Sequence, residues 1–210
     1  MKEQLKTQDL DALVLAGGES KRMGLPKASL PLGRTTLIGT VIDILRPLFH
    51  RVLVVARDNQ AWAELDVEVL TDDRLERGPL AGLARGLAAS DALWCFVVGC
   101  DMPFLRPAVI LRMAEHLDQC DILAPYLEGR FQTLHAFYGK GCLPCARELL
   151  DDGITSLQAL LSCCRTKTVV ASNFFDLDPH LLSFRDLDTP EDYLIARQQV
   201  QGFQQQKVDR

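Results

Sequence analysis

The sequence predicts an α/β fold built on a parallel, doubly wound sheet, and three observations carry that expectation. Strand-like and helix-like patterns alternate through the first 125 residues of the 210-residue chain. Two runs, ALVLA (12–16) and LWCFVVGC (93–100), are apolar at nearly every position, as strands are when helices cover both faces of a sheet. The length suits one sizeable domain with a filled core and is short for two. The whole of 1–210 is therefore read as a single domain, with its core between about residue 10 and about residue 200 and a polar C-terminal tail.

Taken in order, ALVLA is the first strand, and Gly17 and Gly18 end it. A helix follows, because Leu37, Ile38, Val41, Ile42 and Leu45 recur at helical spacing behind Thr35 and Thr36 as caps, and Pro47 closes it. RVLVVA (51–56) is the second strand and VEVL (67–70) a short third, with Trp62 on a short helix between them. GPLAGLARGLAAS (78–90) opens on Gly-Pro and turns helical, and Gly82 and Gly86 leave a smooth face for close packing. LWCFVVGC is the next strand and runs into Asp101, so a carboxylate stands where a buried strand surfaces. Pro107 opens a helix with Ile110, Met113, Ala114 and Leu117 on one face, and DILAP (121–125) is a further strand.

The second half is less regular. FQTLHAFY (131–138) reads as one strand, CARELL (145–150) and SLQALL (156–161) as helices, and KTVVA (167–171) as a strand. TPEDYLIARQQV (189–200) is a closing helix with Thr189 as cap and Pro190 at its first position. The tail QGFQQQKVDR (201–210) is expected to fray.

Charge and composition narrow the function. With 23 basic and 28 acidic residues the formal net charge is -5, which argues against a general affinity for nucleic acid or an acidic membrane surface. The first nine residues are polar, without the apolar core of a signal peptide, and no apolar run approaches a membrane span, so a cytoplasmic location is expected. The seven cysteines are then expected to stay reduced. Cys142 and Cys145, with the adjacent Cys163 and Cys164, read as small apolar residues on helices, because a zinc site shows two spaced pairs and the second pair here is contiguous. His50, His116, His135 and His180 show no ligand spacing.

An acidic protein that binds an anion needs a local basic site, and the stretch after the first strand is one. Gly17 and Gly18 admit a ligand to the main chain, and Lys21, Arg22 and Lys27 add cations, with Arg34 shortly after. Neither a G-x-x-x-x-G-K-[ST] phosphate loop nor a G-x-G-x-x-G dinucleotide fingerprint fits the spacing. What remains is GGESKRMGLPK (17–27). Blander roles stay open at this point: a tight turn for the glycine pair, solvated surface charge for Arg22 and Lys27, a turn cap at Pro103 for Asp101, and helix packing alone for Gly82 and Gly86.

Four segments in order, LAGGESKRMGLPK, GPLAGL, VVGCDMPFL and FRDLDTPEDY, resemble the signature of the MobA-like nucleotidyltransferases, and they span residues 15 to 193. The resemblance implies a Rossmann-like, mostly parallel sheet flanked by helices, of the nucleotide-diphospho-sugar transferase kind. It also implies transfer of GMP from GTP to the phosphate of molybdopterin, with release of pyrophosphate. Leu15, Ala16, Gly17 and Gly18 would then contact the nucleotide through the main chain, and Arg22 and Lys27 would hold its phosphates. Gly78, Pro79 and Gly82 would lie against the base, with Asp72 or Asp73 near the nucleoside. Asp101 would hold magnesium, with Asp186, and less so Asp188, as a second oxygen ligand. Arg22, Lys27 and Asp101 form the implied catalytic set, and GTP, molybdopterin and molybdoenzymes or their chaperones the implied partners.

The sequence departs from the family pattern at three places. Val55-Ala56-Arg57-Asp58 stands where an asparagine is usual, Gln132-Thr133-Leu134 replaces QPL, and Asp186 and Asp188 replace two asparagines. The last two changes bear on the acceptor side. Two alternatives follow: a CTP-dependent relative, or one acting on another phosphorylated small molecule, against which the LAGG start argues because cytidylyl relatives read LAAG; and a nucleotide-binding adaptor without turnover, against which the joint presence of Arg22, Lys27 and Asp101 argues.

Overall fold

A computed structural model describes residues 10–16, 27–57, 62, 65–71 and 78–208, with side chains to residue 200. In chain order it contains β1 (Asp11–Leu15), β2 (Pro31–Leu32), β3 (Thr35–Thr36), α1 (Leu37–Leu45), β4 (Arg51–Ala56), β5 (Glu68–Thr71), α2 (Pro79–Ala89) and β6 (Trp94–Gly99). These are followed by α3 (Pro107–Ala114), β7 (Ile122–Leu127), β8 (Arg130–Phe131), β9 (His135–Gly139), α4 (Leu143–Asp151), α5 (Leu157–Cys163), β10 (Thr166–Val170) and α6 (Pro190–Val208).

The main sheet has the order β10-β7-β9-β6-β1-β4-β5, with β8 beside β7, and β2 and β3 form a separate hairpin. β1 is buried at every position and lies parallel to β4 on one side and β6 on the other. Its run is apolar throughout because both faces are covered. Ala12 and Val14 pack with α1 and α3, whereas Leu13 and Leu15 pack with α2, α4 and α5. Each fully buried aliphatic side chain here contributes about 2 kcal/mol of transfer free energy.

Helix starts follow the expected chemistry. Thr36 caps α1, its hydroxyl accepting from Gly39 N at 3.2 Å, and Ile38, Val41, Ile42 and Leu45 are buried beneath. α2 carries Pro79 in its first turn and lies on β1 through Gly86, where a Cβ would stand 2.5 Å from Leu13 Cδ1. At Gly82 the same atom would meet Leu15 at 3.4 Å, an ordinary contact, so of the two glycines only Gly86 is required by helix packing.

Two expectations are corrected. FQTLHAFY is not one strand: β8 returns from β7 through a turn in which Glu128 (φ 51°) and Gly129 (φ 82°) are left-handed, and β9 begins only at His135. β7 pairs with β8 at Tyr126↔Phe131 and with β9 at Ile122↔Tyr138. These registers are out of step by three residues: Gln132 N still donates to Pro125 O at 2.8 Å, and the chain leaves the ladder after it, before β9 begins at His135. In the tail expected to fray, the backbone of α6 continues to Val208. Trp62 is buried, and the short helix expected around it lies outside the described residues.

The cysteines are free thiols. Cys142 is closed into the core and donates to Asp121 O at 3.1 Å. Burial, followed by the neighbouring Cys163 and Cys164 sulfurs, holds the Cys145 thiol well above its ordinary pKa. Among the described residues no helix is long and apolar enough to cross a membrane.

Candidate active site

β4 and β5 lie to one side of β1, and β6, which follows them in the chain, lies to the other. Open α/β sheets hold ligands above the carboxyl ends of their strands where the order reverses in this way. Here Leu15 is level with Gly99, Ala16 N donates to Val55 O at 2.8 Å, and Cys100 N donates to Leu15 O at 3.2 Å. The ends of β1, β4 and β6 are thus fixed side by side, and Leu15 and Ala16 stand on their common edge.

Asp101 projects from that edge. A Cβ on Gly99 would stand 2.5 Å from Asp101 Oδ1, so the carboxylate folds back into the space that the glycine leaves. Lys27 Nζ donates to Asp101 Oδ2 at 2.8 Å and to Asp188 Oδ1 at 3.0 Å. Its side chain is only 14% exposed, against 21% for Asp101 and 65% for Asp188. Burial alone would lower the lysine pKa, but the hydrogen bonds and charges of Asp101 and Asp188 outweigh it and hold the value above the ordinary one. Lys27 is therefore a protonated cation at neutral pH.

Asp186 lies in the electrostatic range of the same groups. Its carboxyl is held above the usual carboxylate pKa by loss of surrounding water and then by the charges of Asp188 and Asp101. The residue is exposed by surface area, so the two like charges are the better-founded cause. Three carboxylates thus face one ammonium. Among the described residues no three acidic, histidine or cysteine side chains are already arranged to hold a metal ion. The donor chemistry still fits a hard divalent cation, which takes carboxylate oxygens.

The segment bearing Asp186 and Asp188 is pinned to the loop after β6. Leu187 N donates to Asp101 O at 3.0 Å, and Arg106 N donates to Ser183 Oγ at 2.9 Å. Ser183 N in turn donates to the fully buried Asp178 at 2.7 Å. Arg106 Nε lies 3.1 Å from Asp178 Oδ1, close enough to neutralise its charge, although that oxygen has no well-aligned hydrogen bond. Beyond it Thr189 caps α6 reciprocally: its hydroxyl accepts from Asp192 N at 3.1 Å, and Thr189 N donates to Asp192 Oδ2 at 2.9 Å. Tyr193 then donates its hydroxyl to Pro31 O at 2.5 Å, which ties α6 to the hairpin that follows Lys27.

Gly78 has φ 153°, a conformation closed to other residues, and a Cβ there would stand 2.5 Å from Thr155 Cβ. Leu80 N donates to Thr155 O at 3.1 Å, so the start of α2 rests on the turn before α5. Gly82 faces Leu15 and Val55 within the sheet packing.

The structure therefore brings Lys27, Asp101, Asp186 and Asp188 together, with Leu15 and Ala16 on the adjoining strand end. Gly17, Gly18, Arg22, Asp72 and Asp73 lie outside the described residues. The roles of Gly99, Thr155 and Asp178 escaped the sequence reading. Only Gly99 left a signal there, a glycine closing an apolar run just before a carboxylate.

A doubly wound sheet with a lysine and a carboxylate facing each other where its strand order reverses places the protein among the α/β proteins that bind a ligand at that point. The chain belongs to the family described as MobA-like NTP transferase domain, which it matches over residues 12–169, and it is a nucleotidyltransferase. It is 31% identical to a "probable molybdenum cofactor guanylyltransferase" of Pelotomaculum thermopropionicum over 88% of this chain and 90% of that protein. It is 30% identical to a "molybdenum cofactor guanylyltransferase" of Desulfosudis oleivorans over 86% of this chain and 90% of that protein. Among solved structures it is similar to molybdopterin-guanine dinucleotide biosynthesis protein A from Archaeoglobus fulgidus, with a TM-score of 0.77 and 26% identity over 90% of this chain and 97% of that one.

Proposed function

We propose that the protein transfers GMP from GTP to the phosphate of molybdopterin, forming the guanine dinucleotide form of the cofactor and releasing pyrophosphate. The observation that carries this reading is Lys27, a buried-stem cation 2.8 Å from Asp101 at the strand ends where the sheet order reverses. The names of the relatives support the guanylyl and molybdopterin parts, and the LAGG start, Leu15 to Gly18, supports GTP over CTP.

In this reading Lys27 and Arg22 offset charge on the triphosphate, and the edge at Leu15 and Ala16, with Gly17 and Gly18, offers main-chain contacts. Gly78, Pro79 and Gly82, with Asp72 or Asp73, serve the nucleoside. Magnesium is the proposed metal; Asp101 and Asp186 would hold it, and it would supply further neutralisation of phosphate charge. The attacking phosphate is already an anion near neutral pH, so no side-chain base is needed. Catalysis rests on bringing two anions into line and stabilising the charge that builds at the α-phosphate. A single domain over 1–210, a cytoplasmic location, and molybdoenzymes or their chaperones as receivers of the product belong to the same proposal.

Incubation with each of the four nucleoside triphosphates, magnesium and molybdopterin, scored by pyrophosphate release and product mass, tests it. GTP alone should support rapid transfer. Equal use of CTP, or binding of GTP without turnover, overturns the assignment.

A further inference from the structure

The β7–β8 hairpin displays a cross-strand aromatic pair, Tyr126 opposite Phe131, whose tyrosine stays open to solvent. Tyr126 is 40% exposed, and its ring meets that of Phe131 edge-on with centroids 5.0 Å apart. Val170, level with Tyr126 on β10, is 50% exposed. Exposed apolar surface of this kind, gathered in one place, marks a surface that something covers.

Its position says what. β6 and β7 both run antiparallel to β9 and so present their carboxyl ends at the same edge of the sheet. Along β6, Cys95 and Val97 face α2, α4 and α5, and Gly99 follows them in the alternation; the Asp101 carboxylate lies over Gly99 on that face. Along β7, Ile122 and Ala124 face the same helices, and Tyr126 follows them, with Phe131 at the margin of that cluster. The Asp101 carboxylate and the aromatic pair therefore share one face and one edge, separated by a single intervening strand, or about 10 Å from β6 to β7. Gly78, at the start of α2, lies on the other side, since α2 covers β1 and β4 through Leu13, Leu15 and Val55. A phosphate held at Lys27 and Asp101 thus has the nucleoside-side glycines to one hand and an exposed aromatic surface to the other.

We propose that Tyr126, backed by Phe131, is the stacking surface for the planar ring of the acceptor, and so a specificity-determining element for the second substrate. This rests on reading the acceptor as molybdopterin, whose pterin carries a planar pyrimidinone ring and whose terminal phosphate lies on a short chain away from it. The aromatic face supplies stacking without hydrogen-bond selectivity, and the edge-on contact with Phe131 holds the tyrosine ring in place.

The test compares wild type, Tyr126→Ala and Tyr126→Phe in the full-length protein. Steady-state transfer is measured with GTP and molybdopterin, and direct binding by calorimetric titration of molybdopterin without GTP. Tyr126→Ala should raise the KM for molybdopterin at least fivefold and weaken the binding titration in parallel. The KM for GTP should stay within twofold, and Tyr126→Phe should behave as wild type. An unchanged molybdopterin KM and titration in Tyr126→Ala overturns the inference, as does a rise confined to GTP, which would assign the surface to the nucleobase. Wild type that binds molybdopterin through Tyr126 but transfers no GMP sinks the proposed reaction and leaves the stacking surface standing.

Discussion

The Lys27 ammonium donates to Asp101 Oδ2 across 2.8 Å although the two residues stand 74 positions apart in the chain. With Asp188 on its other side at 3.0 Å, the lysine is where three of the sequence's separate signature segments meet. Unit charges about 4 Å apart near a protein surface attract by about 4 kcal/mol before desolvation is subtracted, and Lys27 and Asp101 are both largely shielded. The arrangement holds the cation at a fixed height over the strand ends.

If that cation acts mainly as charge builds on the phosphates, Lys27→Ala should lower kcat by roughly 100-fold or more, with a much smaller effect on GTP affinity. Single-turnover rates and GTP titrations on the same preparation separate the two quantities. Near-normal turnover would remove Lys27 from the mechanism.

Gly99 offers a gentler probe of the same site. Its missing side chain leaves the room in which Asp101 Oδ1 sits, 2.5 Å from where a Cβ would be. Gly99→Ala should swing the carboxylate away and cut the transfer rate at least roughly tenfold, which corresponds to about 1.4 kcal/mol. Thermal unfolding should shift only modestly, because the displaced group is a side-chain terminus. A fully active variant would mean that the position of Asp101 is not critical.

Asp186 faces Asp101 and Asp188 and is held partly toward its protonated form; a divalent cation would relieve that repulsion. Asp186→Asn should therefore keep activity but raise the magnesium needed for half-maximal rate at least roughly threefold, equivalent to about 0.7 kcal/mol of metal binding. An unchanged magnesium titration would leave the residue with an acceptor-side role.

His135 is fully buried between Phe96 and Phe184, with neither ring nitrogen partnered, and burial pushes its pKa down to about 3. Since the unfolded chain takes up the proton near pH 6.5 and the folded one does not, stability is highest above that pH. It falls as pH drops from about 6.5 to about 3, by on the order of 1 kcal/mol per pH unit from this group. His135→Leu should remove that component, and at neutral pH it should be neutral or stabilising because no buried nitrogen is then left unpaired. Urea unfolding of both proteins at pH 7 and pH 4.5 decides it: a difference between them that does not change with pH contradicts the assignment.

The sequence was most informative where local patterns and global packing agree. Continuous apolar runs marked β1 and β6, helical spacing behind a threonine marked α1, and Thr189-Pro190 marked the start of α6. Strand direction was not legible, because a two-residue period is the same read either way, so the antiparallel insertion of β9 between β6 and β7 came only with the sheet. The break after Gln132 was hidden for a related reason: the run reads as one strand, and nothing in its composition marks the residues that leave the β7 ladder before His135. At the site, Lys27 and Asp101 were legible by residue type and place. The contact of Lys27 with Asp188 and the burial of Asp178 were not, since each depends on a chain segment that returns from far along the sequence.

That distant return has a consequence for how the protein is made. Lys27 and Asp188 are 161 residues apart, and Tyr193 reaches back 162 residues to Pro31. Sheet and helices can begin to form from near neighbours while the chain is still being synthesised, but the site cannot close until the segment around Asp188 has emerged. At 5–20 residues per second that is a delay of roughly ten to thirty seconds after Lys27 is added. Once Asp101 has followed, 74 residues after Lys27, it stands without the outer partner for the rest of this interval, and the hairpin of β2 and β3 awaits the helix that will hold it. Competence for chemistry is therefore acquired late, and slow passage through residues 180–193 should delay activity more than it delays the pairing of β1, β4 and β6, although Phe184 joins the core only with that same segment.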